Sequence, residues 1–133
     1  MRNYHIFISH SWSYSDAYEK LKNLLDKTGL TYSDYSVPKD DPIHNAPNEK
    51  ALKNAIQKQI APCSCVIILA GVYSTYSAWI DNEITIAKQM GKPIIAIEPW
   101  GSEKTSTTVK NNADIIIKWQ SSSLKDAIIK YSK

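Results

Sequence analysis

The hexapeptide CVIILA, residues 65–70, decides how this chain is read. Half-buried strands alternate apolar and polar residues, because neighbouring side chains point to opposite faces. This run has no alternation, so it suits a strand covered on both faces, as in a parallel sheet between two helical layers. PIIAI (93–97) and DIII (114–117) read the same way. Tyr4–Ile8 supplies a further apolar strand, and TYSDYS (31–36) is polar enough for an edge strand.

Helical patterns fall between these runs. Ala17, Leu21, Leu24, Leu25 and Thr28 form an apolar stripe closed by Gly29 as a C-terminal cap. Residues 49–60 repeat the pattern through Ala51, Leu52, Ala55, Ile56 and Ile60, and Pro62 stops it. A third helix is expected from Ser77, as N-cap, to Met90, ended by Gly91 and Pro93; its inward stripe is Trp79, Ile80, Ile84 and Ala87. The last helix spans 124–131, while residues 103–112 fit no single element. Alternating strands and helices with short connections predict a single α/β domain over residues 1–133. It is three-layered and flavodoxin-like: a five-stranded parallel sheet, order 2-1-3-4-5, with helices on both faces.

Composition bounds the function. Of 133 residues, 43% are apolar and 22% charged, which is ordinary for a globular domain long enough to bury a core. The net charge of +3 is too small to imply nucleic acid. A local excess of six Lys over two Asp in residues 104–133 reads as a solvated face. No run approaches the ~18 apolar residues of a membrane span, nothing resembling a signal peptide precedes the first strand, and a cytoplasmic protein is expected. Cys63 and Cys65 make neither a disulfide framework nor a zinc site; on a strand they would share one face as core thiols. There is no Walker loop, GxGxxG, HExxH or GxSxG, the glycines at 29, 71, 91 and 101 are scattered, and the Asp spacing fits no metal site.

In a doubly wound sheet, ligands bind beyond the carboxyl ends of the strands where the order reverses, here between strands 1 and 3. Strand 1 runs through Phe7 into Ser9-His10-Ser11-Trp12, whose polar groups either suit phosphate or ribose oxygens or, as is commoner for a lone His in a loop, are merely solvated or turn-forming. Strand 3 leads through residues 71–77 into the helix carrying Trp79 and Glu83, so the two segments should face each other. Trp12 and Trp79 are either stacking platforms for a base or nicotinamide ring, or core. Glu83, four residues after Trp79, is either a carboxylate for glycosidic chemistry or a surface charge paired with Lys88 or Lys92. VPKDDPIHNAPN (37–48) contains three prolines and no period. It is a long loop, either a lid bringing Asp40, Asp41 and His44 to a ligand or plain surface.

Four segments in register, YHIFISHS, SVPKDDP, SAWIDNE and KPIIAIEPWG, together resemble a TIR domain. The resemblance covers nearly the whole chain and is closest to small stand-alone bacterial TIR-like proteins of antiphage systems such as Thoeris. It implies NAD+ as substrate rather than cofactor, with no metal, and cleavage of the nicotinamide–ribose bond by a helix glutamate in a W-x-x-x-E arrangement. Trp79-Ile80-Asp81-Asn82-Glu83 matches, which gives Glu83 the catalytic role. Substrate contacts are then expected from Phe7, Ser9, His10, Ser11, Trp12, Asp34, His44 and Trp79, with Ser33 beside Asp34 at the end of strand 2. The resemblance also implies self-association for activity and a separate effector that senses the product. Two positions depart from the family: His5 stands where an acidic residue is common, and the loop after strand 2 lacks a Gly after Pro, which argues against adaptor-type partners. Two competing readings are a non-catalytic TIR interaction module, which would tolerate Ala at position 83, and a nucleoside deoxyribosyltransferase-type enzyme, which would prefer a nucleoside.

Overall fold

The computed structural model describes residues 3–9, 15–35, 49–69, 78–98 and 111–132. Five strands, β1 (Asn3–Ser9), β2 (Thr31–Asp34), β3 (Cys65–Leu69), β4 (Ile94–Ile97) and β5 (Ile115–Ile117), pair in parallel in the order β2-β1-β3-β4-β5. Four helices are described: α1 (Ser15–Lys27), α2 (Glu49–Ile60), α3 (Ala78–Gln89) and α4 (Ser121–Tyr131). The expected order, edge strand and doubly wound class are all present. No described helix is long and apolar enough to cross a membrane.

The pleat sorts the core into two layers. Tyr4, Ile6 and Ile8 of β1, with Cys65, Ile67, Ile95, Ile97 and Ile117, meet Leu21, Leu24 and Leu25 of α1 and Leu124, Ala127 and Ile128 of α4. On the opposite face Phe7, Val66, Ile68, Ile94 and Ala96 meet Ile56 and Ile60 of α2 and Ile84, Ile86 and Ala87 of α3. Burying each of these branched side chains contributes about 1.5–3 kcal/mol against leaving it in water, which is why two unbroken apolar strands sit at the centre.

Helix ends follow the local sequence. Gly29 ends α1 at φ +76° and Gly91 follows α3 at φ +71°, a left-handed geometry costing a Cβ-bearing residue about 1–2 kcal/mol. Thr28 is buried; its hydroxyl donates to the Leu25 carbonyl (2.6 Å) and accepts from the Leu30 N–H (3.2 Å). The amino ends of the strands carry a row of polar ties. The Ser64 N–H donates to the His5 carbonyl (2.6 Å), Lys92 Nζ to the Ala61 carbonyl (3.0 Å), and the Ile94 N–H to Asp114 Oδ2 (2.7 Å).

Three expectations need correction. β5 is not covered on both faces: Ile116 is 40% exposed, because β5 is the sheet's last strand and α4 packs on its other side. Cys63 and Cys65 do not share a face. Cys63 precedes β3, in the turn after α2, and joins the α2–α3 layer, whereas Cys65 opens the strand in the α1–α4 layer. The last helix begins at Ser121, three residues before Leu124, because Ser121–Ser123 already turn helically.

Candidate active site

α3 follows β3 and therefore starts on the carboxyl side of the sheet, and position 83 falls in its second turn. Ser9, the last residue of β1, is level with Ile68 of β3, next to where the strand order reverses. The strand order therefore reverses between β1 and β3, as expected, and α3 is the helix that follows β3.

Glu83 lies in that second turn and is 1% exposed. Ile84, Ile86 and Ala87 are buried around it and pack on the layer of Phe7, Val66 and Ile68. The surface-charge reading of Glu83 is thereby overturned, and Lys92 is held instead by the Ala61 carbonyl. Ile86, left out of the sequence stripe, belongs to it; its signal was the three-residue step from Glu83, which returns to the same side of a helix.

Among the described residues the buried polar or charged side chains are Thr28 and Glu83. Thr28 is satisfied by helix-end carbonyl and amide groups. Glu83 is the buried carboxylate. It has interactions of its own, and its Oε2 atom is out of reach of water. An ionised carboxylate taken out of water costs several kcal/mol before compensation. A carboxylate buried at that cost is a candidate for chemistry, because a positive charge arriving there is attracted in a low-dielectric setting.

The other expected residues are distributed as follows. Phe7 is fully buried, in the same core layer as Ile84, Ile86 and Ala87 of α3. Ser9 ends β1 at the switch point, and Trp79 is the second residue of α3, one turn before Glu83. Asp34 ends β2 level with Ile6, three residues short of Ser9 along β1. Its carboxylate is 15% exposed and stands 3.6 Å from Lys22 Nζ of α1, so it is turned toward the α1 layer and not brought beside Glu83. Ser33, its neighbour, accepts a hydrogen bond from the Asn3 side-chain amide (3.0 Å). His10, Ser11, Trp12 and His44 lie outside the described residues, as do Asp40, Asp41 and the Ser77 N-cap.

The departure at His5 has a structural role. Its Nδ1 is 3.2 Å from the Tyr35 hydroxyl and the rings are 5.2 Å apart, tying β1 to the end of β2. Among the described residues no group of three or more His, Cys, Asp or Glu could hold a metal ion.

The fold matches solved structures along nearly its full length. One is the CMP N-glycosidase BcmB of Clostridium botulinum, at TM-score 0.55 and 18% identity, covering 96% of this chain and 98% of that one. Another is a 3-dehydroquinate dehydratase-like protein of Bifidobacterium longum, at TM-score 0.48 and 10% identity, covering 98% and 95%. At 18% identity the likeness to the N-glycosidase is one of fold. No match is found among curated proteins. The model of one family, the TIR-like domain of the Thoeris protein ThsB, matches residues 7–104, which includes both sides of the switch point and Glu83. The chain belongs to the ThsB TIR-like domain family.

Proposed function

We propose that this chain consumes NAD+, breaking the nicotinamide–ribose bond to make an ADP-ribose-derived signal in antiphage defence. The observation that carries the reading is the burial of Glu83 in the second turn of α3, the helix that follows β3. Breaking the C1′–N bond sends its electron pair to the ring nitrogen, and nicotinamide leaves neutral. Positive charge then develops on the ribosyl carbon and ring oxygen. A fixed carboxylate in a desolvated site opposes that charge or bonds C1′ transiently, as carboxylates do in glycoside hydrolysis. The fragment goes on to water, to one of its own ring nitrogens, or to another acceptor, each releasing a proton or its equivalent.

Family membership supports a TIR-like protein of the Thoeris kind, and the neighbour named a CMP N-glycosidase has a similar fold. Ser9, His10, Ser11, Trp12, His44 and Trp79 remain the proposed substrate contacts. Self-association completes the site, and a separate effector senses the product. The test is mass spectrometry of NAD+ incubated with concentrated protein, alongside Glu83→Gln and Glu83→Ala. Nicotinamide released by the unsubstituted chain and by neither variant supports the reading. NAD+ left intact at every protein concentration, and in the presence of phage-infected extract, points instead to an interaction module.

A further inference from the structure

A groove of about 330 Å³ opens on the sheet face away from Glu83, lined by Lys20, Asn23, Leu24 and Lys27 of α1 and by Trp119 after β5. Positions 20, 23, 24 and 27 follow the i, i+3, i+4, i+7 spacing of one helix face, so all four α1 residues look into the same space. Leu24 is 7% exposed and forms the floor, while Trp119 is half-buried against the α1–α4 layer and supplies a wall. Among the described residues that line it both charges are positive, and Asn23 adds an exposed amide with donor and acceptor ends.

An indole wall, an amide and two ammonium groups converging on a small apolar floor match the parts of a nucleotide. A purine stacks on Trp119, Asn23 bonds a ring edge or ribose hydroxyl, and Lys20 and Lys27 meet the phosphate. The volume is at the low end for ligand pockets, which suits one nucleotide rather than a dinucleotide. We propose that this α1–Trp119 groove is a second site, taking a purine nucleoside monophosphate and separated from Glu83 by the sheet.

At 15.0 kDa the protein suits nitrogen-15 NMR titration with AMP, with NAD+ left out. The expected result is saturable movement of the Trp119 indole N–H and the Asn23 side-chain amide. The Lys20→Ala/Lys27→Ala double variant, altered only at exposed positions, should bind about tenfold or more weakly at this site, and raised salt should weaken binding further. Glu83→Gln should leave these two signals responding as before. Movement at Trp119 and Asn23 that is undiminished in the double lysine variant overturns the proposal. So does a titration in which neither signal moves, whatever happens near α3.

Discussion

Lys22 Nζ of α1 stands 3.6 Å from Asp34 Oδ2 at the end of β2, while Glu83 is buried in α3 on the sheet's other face. The two acids that the sequence assigns to one site therefore answer to different layers. The Lys22–Asp34 pair is partly exposed, and such pairs contribute about 0–1 kcal/mol. Asp34→Asn should lower Tm by no more than a few degrees and leave the KM for NAD+ within about twofold. A KM raised about tenfold at unchanged Tm would return Asp34 to the substrate.

Glu83→Gln should separate stability from activity. The substitution keeps the shape of the side chain and one carbonyl acceptor, and replaces the carboxylate by a neutral amide. Thermal unfolding should show Tm unchanged within about 2 °C, or higher. Nicotinamide release should fall at least about a hundredfold, since the developing positive charge loses its counter-charge. A Tm lowered by about 8 °C or more would instead mark Glu83 as a structural residue.

Phe7 is fully buried in the core layer it shares with α3. Phe7→Ala should cost about 3–5 kcal/mol in urea unfolding, from lost burial plus the cavity left behind. Phe7→Leu, closer in volume, should cost less than about 1.5 kcal/mol and retain activity.

Both cysteines are buried and reduced. Burial pushes the Cys63 thiol up to about 12, with Cys65 adding to the effect. At pH 8 a thiol reagent should label neither cysteine in the native protein and both in denaturant. The folded state holds the Cys63 proton more tightly than the unfolded chain does. Its contribution to stability is therefore complete below the ordinary thiol pKa near ~8.5 and declines as pH rises from there toward about 12. Cys63→Ala should flatten that part of the pH–stability curve.

Much of this was legible in the chain because it rests on period and punctuation. CVIILA and PIIAI read as buried strands since nothing polar interrupts them, and Gly29 and Gly91 marked helix ends that need positive φ. What was not legible depends on neighbours distant in sequence. DIII looks as buried as PIIAI, but Ile116 is left half-open because β5 is last in the sheet. Two cysteines at i and i+2 part company because the strand begins only at the second. Asp34 points where Lys22 draws it, and no local pattern contains Lys22. Glu83 was found by its spacing from Trp79, yet only the packing of α3 shows it to be buried.

The ties from Ser64 to His5, Lys92 to Ala61 and Asp114 to Ile94 all fasten the amino ends of the strands, the end farther from Glu83. Each joins segments distant in the chain without involving any residue of the candidate active site. That base works as a foundation independent of whatever is built above it. Exchanging the segments after β1, β2 and β3 with those of another member of the family should therefore leave the register of the sheet below unchanged.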